Sequence, residues 1–163
     1  MFAPLSAATL SPGAGSIRTG RSKGKIMGDL IEQTTTTWND RDRAGWRDCY
    51  VADSEMVAPG VVAGSGPEAL LAYWDETMEA FPDNRITVAR VVAQGDLLVE
   101  ESRMDATNTG PIAGPDGTPI PATGRTLSLA FAGVHRVDGD RIVSSHFYWD
   151  MFDMLGQLGL LDG

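Results

Sequence analysis

Helices first and antiparallel strands afterwards predict an α+β fold. Three observations carry that prediction. The first half of the sequence sets apolar residues at helical spacing, the second half alternates with a period of two, and Asp138-Gly139-Asp140 turns one alternating run back on another. Leu127, Leu129 and Phe131 alternate with Ser128, Ala130 and Ala132, and the same period resumes from Ile142 to Trp149, so the turn makes a hairpin. Centred on Gly139, it pairs Phe131 with Phe147, Gly133 with Ser145 and His135 with Val143 on one face. That face reads as a pocket wall.

Taken in order, 29–39 is a helix, with Leu30, Ile31, Thr34 and Trp38 on one stripe and Asp29 near its start. Asp42 caps a second short helix through Trp46, Cys49 and Tyr50. A strand-like segment, 55–62, precedes Gly64-Ser65-Gly66-Pro67, which introduces a third helix, 68–80, striped by Leu70, Leu71, Trp74 and Met78. Strands 85–93 and 97–107 join through Gln94-Gly95-Asp96, and a Gly/Pro-rich loop, 110–124, leads to the hairpin. The chain closes on a short helix for which Asp150 stands as N-cap.

A chain of 163 residues with 42% apolar content holds one core and is short for two ordinary domains. Residues 1–26 carry Arg18, Arg21, Lys23 and Lys25, no acid and repeated Gly, Ser and Pro. They read as a disordered tail, with a transit peptide or an over-extended start before Met27 as alternatives, and 27–163 as the domain. That domain holds all 22 acids against nine bases, a net charge of −13. Such a field disfavours nucleic acid and strongly anionic ligands and favours a neutral or cationic small molecule. It contains no lysine, which excludes imine chemistry. Cys49 alone forms no internal disulfide, and His135 and His146 without a second cysteine form no zinc set. With no apolar run of about 18 residues to cross a membrane, a reduced cytoplasmic setting is expected.

Thr123-Gly124-Arg125 before a strand, Asp138-Gly139 and Ile142 at the turn, Tyr148-Trp149-Asp150 and Gln157-Leu158-Gly159-Leu160 together resemble the SnoaL-like polyketide cyclases of the nuclear-transport-factor-2-like superfamily. Trp38-Asn39, Tyr50-Val51-Ala52-Asp53 and Phe81-Pro82-Asp83 extend the likeness over 28–161. The resemblance implies a cone-shaped, curved antiparallel sheet wrapped by the three N-terminal helices, a homodimer, and acid/base catalysis without metal or cofactor. In that family an Asp on the last strand and a His on the preceding one transfer protons. The matching positions here are Phe147 and Gly133. Asn108-Thr109-Gly110 likewise stands where ester-cyclase relatives carry His-x-Gly. Arg103-Met104-Asp105 repeats an Arg-x-Asp spacing of the related limonene epoxide hydrolases, with Glu101 on the same strand face, or Asp150, as a second carboxylate.

Three functions are therefore expected. The first is an acid/base cyclase or isomerase acting on a neutral, apolar, polyketide- or terpenoid-like molecule. Asp105 is its proton carrier, Arg103 the orienter and His135 a second carrier, and Trp38, Tyr50, Trp74, Met78, Leu129, Phe131 and Phe147 form the pocket. The second is a binding protein that kept the pocket without the chemistry, as Phe147 and Gly133 suggest. The third is an epoxide hydrolase or epoxide-opening cyclase resting on Arg103 and Asp105. Each candidate also has a plain structural reading: core packing for the aromatics, an exposed ion pair for Arg103 and Asp105, helix capping for Asp150, and an outer, subunit-facing position for His146 and Tyr148.

Overall fold

In the computed structural model, residues 23–114 and 117–161 are described. Helix α1 (Lys23–Asn39) starts six residues before the expected Asp29, since Gly24, Gly28 and a first turn without acids hide its beginning from a propensity reading. Residues 1–22 of the expected tail lie outside the described residues. The predicted stripe holds: Leu30, Ile31, Thr34 and Trp38 are buried. Helix α2 (Arg43–Asp48) is capped by Asp42, whose side chain accepts from the Gly45 N–H at 2.9 Å. The strand expected over 55–62 is instead a hairpin, β1 (Tyr50–Ala58) and β2 (Val61–Ser65), because Pro59-Gly60 places a positive φ between them. Helix α3 (Gly66–Ala80) follows with Pro67 in its first turn and Leu70 and Trp74 buried.

The remaining elements are β3 (Arg85–Gln94), β4 (Leu97–Thr107), β7 (Thr126–Asp138), β8 (Arg141–Trp149) and α4 (Met151–Leu158), with a minor hairpin, β5 (Ile112–Ala113) and β6 (Pro119–Ile120), inside the Gly/Pro-rich loop. The six-stranded sheet runs β2-β1-β8-β7-β4-β3. It is mixed rather than wholly antiparallel, since β1 lies parallel to β8. The Cys49 carbonyl accepts from the Ile142 N–H at 2.8 Å, which seats the start of β1 beside β8.

The β7–β8 register differs from the one expected. Phe131 faces Trp149, Gly133 faces Phe147 and His135 faces Ser145. Two causes add. The loop is the two-residue Gly139-Asp140, with Asp138 opposite Arg141, and a bulge at Val143 inserts one further residue. Each displaces the pairing by one position, so from Ser144 onward the net shift of two preserves the face each side chain takes, whereas before the bulge the shift of one turns Ile142 inward against Val137 and leaves Val143 exposed and not opposite His135 as expected.

Three tryptophans knit the helices together, with ring centroids 5.4 Å (Trp38–Trp46), 4.8 Å (Trp38–Trp74) and 5.1 Å (Trp46–Trp74) apart. Trp38 donates its indole N–H to buried Asn84 at 2.6 Å, and the Asn39 amide exchanges two hydrogen bonds with the Ile86 backbone. These contacts hold α1 across the concave face of the sheet.

Candidate active site

Between the helices and the inner sheet face lies a mostly apolar cavity of about 560 Å³. Its depth is set by alternation on two strands. Along β4 the inner positions are Leu98, Glu100, Ser102, Met104 and Ala106, and along β7 they are Leu127, Leu129, Phe131, Gly133, His135 and Val137. The β5–β6 hairpin and α4 supply the rim, through residues such as Ile112, Ile120, Met151 and Leu155. Buried Asn108 holds the hairpin's base, donating to the Ala80 and Gly110 carbonyls and accepting from Thr123. Asn108 is thus a loop anchor.

Two charge-bearing side chains meet inside this apolar space. His135 Nε2 lies 3.3 Å from Glu100 Oε1, and the two side chains are only 2% and 8% exposed. The other carboxylate oxygen accepts from the Ser102 hydroxyl at 2.5 Å. On the far side of the imidazole, Nδ1 lies 2.8 Å from Ser145 Oγ. Burial pushes the Tyr50 phenol well above its ordinary pKa, with the nearby Ser145 side chain opposing the rise and the nearby Glu100 adding to it. Tyr73, across the cavity, is pushed up to about 12, chiefly by burial. Both remain neutral phenols at physiological pH.

Gly133 makes the meeting possible. It pairs with Glu100 on one side and Phe147 on the other, and a Cβ there would come 2.5 Å from His135 Nε2 and 2.9 Å from Glu100 Oε1. The absence of a side chain at Gly133 leaves the volume that the His135 imidazole and the Glu100 carboxylate occupy. Phe147 packs the edge of its ring against His135, with centroids 5.6 Å apart, and stacks on Tyr73 at 6.3 Å.

Of the expected pocket residues, Trp38, Tyr50, Leu129, Phe131 and Phe147 line the cavity. Trp74 and Met78 do not; they pack behind it, Trp74 against the other two tryptophans and Met78 in the same core with its sulfur accepting from Asn84. His135 faces the cavity as expected, though at its buried end and not at a solvated mouth, because the helices close over this part of the sheet. Asp105 and Arg103 do share one strand face, but it is the exposed one. Both take the odd positions of β4, opposite in parity to Glu100, and Asp105 accepts from the exposed Ser128 hydroxyl at 2.6 Å. Glu101, on that same face, pairs with Arg90 at 2.8 Å. These residues are not brought to His135. Asp150 caps α4, accepting from the Phe152 and Asp153 N–H groups. His146 and Tyr148 occupy the outer face, where Tyr148 is exposed.

Sequence reasoning missed Glu100 and Ser145. The even-numbered β4 positions carry Leu98, Met104 and Ala106, a period-two signal that sets Glu100 on the apolar face. Among the described residues no cluster of metal-ligating side chains occurs, and no helix is long and apolar enough to cross a membrane.

The sequence profile of the SnoaL-like domain matches residues 31–145. No curated protein matches the chain in sequence. Among solved structures, IdmH from Streptomyces antibioticus, a proposed polyketide cyclase, superposes with a TM-score of 0.69 at 27% identity, over 82% of this chain and 98% of its own. A proposed SnoaL-like polyketide cyclase from Jannaschia sp. CCS1 gives 0.74 at 17% identity, over 86% and 96%. A limonene-epoxide-hydrolase-like enzyme of M. tuberculosis gives 0.65 at 15% identity, over 84% and 92%. The last two likenesses establish the nuclear-transport-factor-2-like fold.

Proposed function

The chain belongs to the SnoaL-like domain family, and from that premise we propose that it is an acid/base enzyme which moves a proton on a neutral, apolar, polycyclic carbonyl compound, leading to ring closure or isomerisation. One observation carries the reading: among the described residues, the one acid–base pair in contact in the cavity wall is Glu100 with His135, inside a mostly apolar space whose lining also includes Glu76 and Glu79. A carboxylate in such surroundings takes a proton from a carbon acid without competing water. His135, donating from Nε2, keeps that carboxylate oriented, and Ser102 holds its second oxygen. Phe147 and Phe131, with rings 6.0 Å apart, offer a flat apolar wall for fused rings. The negative field of the domain further supports a neutral ligand over an anion.

The test uses tetrahydrophenanthrenone, a tricyclic ketone with a CH2 group beside its carbonyl. The protein is expected to accelerate exchange of those protons in heavy water, followed by NMR, at least tenfold over buffer, and to bind the ketone as read by quenching of Trp38 and Trp46 fluorescence. Binding without exchange between pH 5 and 9 supports a second reading, a binding protein, which draws on Phe147 covering the His135 ring. Neither binding nor exchange contradicts both.

A further inference from the structure

Trp149 stands in the cavity wall well away from the acid–base pair. Across the β7–β8 ladder it faces Phe131, whereas Glu100 faces Gly133 two positions along, and β4 and β8 flank β7 on opposite sides. At about 3.4 Å per residue and about 4.8 Å per strand spacing, the Trp149 and Glu100 backbones are roughly 12 Å apart, comparable with the long axis of a fused polycycle. The surroundings differ as well: Phe147, beside His135, packs on the tryptophan core, and Trp149 on the cluster of Phe81, Leu127, Leu129 and Leu158. Among the described residues, Ser54 Oγ and Trp149 Nε1 are the buried side-chain polar atoms without a hydrogen-bond partner, and of the two residues only Trp149 lines the cavity. An indole N–H donates and cannot accept. Leaving such a buried donor unpaired is costly and rare in native folds, and Trp38, whose N–H goes to Asn84, shows the ordinary arrangement.

We propose that Trp149 is a specificity-determining residue whose indole N–H receives a neutral carbonyl oxygen on the ring of the ligand farthest from Glu100. The ligand class is then an apolar polycycle oxygenated at both ends, with one carbonyl beside the carbon acid and a second that takes no part in the reaction. The proposal rests on the reading of Glu100 and His135 as the reacting end and adds to it a fixed far end. Trp149 packs in one cluster with Met104, Ile112, Met154 and Leu160, side chains that give no hydrogen bond, so an oxygen placed among them has the indole as its donor. Met104 and Met154 line the same cavity, and such unbranched side chains swing aside at little cost, which lets that oxygen reach the buried N–H. A hydrocarbon end leaves the N–H unpaired and a carbonyl end pairs it, so the residue discriminates between ligands of one shape. Held at both ends, the polycycle presents one carbon, and not its neighbours, to Glu100.

The experiment uses two tetrahydrophenanthrenones that differ only on the far aromatic ring, one carrying an acetyl group and the other an isopropenyl group of the same shape without the oxygen. Isothermal titration calorimetry of the parent is expected to show the acetyl probe binding about tenfold tighter, as one hydrogen bond to an otherwise unpaired donor allows. Trp149→Phe is expected to bring that ratio close to one, whatever the lost ring volume does to both affinities together. Equal affinities in the parent overturn the proposal, and so does a preference that survives in Trp149→Phe. Should the variant fail to fold, the parent with isotope-labelled indole nitrogens answers by NMR. The Trp149 N–H resonance is expected to move downfield with the acetyl probe and not with the isopropenyl probe, and an equal response to both contradicts the proposal. Both probes keep the ketone and its neighbouring CH2 group, so proton exchange is read on the same samples. Preference without exchange defeats the acid/base reading alone, exchange without preference defeats the role of Trp149 alone, and failure of both probes to bind defeats both.

Discussion

At the scale of single residues, Gly133 shows how a position without a side chain makes room for its neighbours. Its missing side chain reads in the sequence as a lost histidine, yet in the fold it is the space in which Glu100 and His135 come within 3.3 Å. Gly133→Ala is therefore expected to drive the pair apart, lowering proton exchange at least tenfold and costing about 1 to 3 kcal/mol of stability, as overpacking a tight core does. Urea unfolding combined with the exchange assay checks both. Full activity in Gly133→Ala would show that the contact is dispensable. The sequence carried enough periodicity to place His135, Phe131 and Phe147 on one face. It could not show that Glu100 and not Asp105 accompanies them, because the β4–β7 register that sets Glu100 beside Gly133 joins segments 33 residues apart. Arg103 and Asp105 were the more conspicuous pair, and their alternation simply points outward.

At the scale of elements, strand and helix positions were legible wherever a local pattern marked them, and connections between remote strands were not. The stripe of α1 and the capping of α2 and α4 follow from neighbouring residues. The bulge at Val143 and the parallel pairing of β1 with β8 follow from contacts that no local pattern records. The hairpin at Pro59-Gly60 was missed because a run of small and branched residues on both sides of the turn reads as one strand. Helix α4 bounds the proposed site, since its Met151, Met154 and Leu155 line the cavity. Asp150 holds its first turn through two backbone hydrogen bonds of 2.9 and 3.1 Å. Asp150→Ala is expected to cost about 1 kcal/mol by chemical denaturation, with faster amide exchange confined to α4. A loss of catalysis beyond about threefold with α4 protection unchanged would mean that Asp150 acts chemically, contrary to its geometry.

At the scale of the whole molecule, the helices close an apolar space over the sheet, and several buried acids of weak strength share the resulting penalty. Burial raises Cys49 from 9.0 to about 11 and Tyr73 from 10.0 to about 12. For a group whose folded pKa lies above its unfolded one, the contribution to stability is complete below the unfolded value and is lost as pH rises toward the folded one. Stability is accordingly expected to fall between pH 9 and 12, beginning with Cys49, and Cys49→Ala should flatten the first part of that decline. A profile level through pH 11 would contradict the buried placement of these groups. The cavity and its one buried pair are also what the whole account turns on. The measurement that tests it most directly is proton exchange on tetrahydrophenanthrenone by Glu100→Gln beside Asp105→Asn, with folding of each verified by circular dichroism. Glu100→Gln is expected to lose at least about a hundredfold in rate, as removal of a general base does, while Asp105→Asn stays within about threefold of the parent. The opposite pattern, an active Glu100→Gln and an inactive Asp105→Asn, would contradict the account and return the chemistry to the outer face of the sheet.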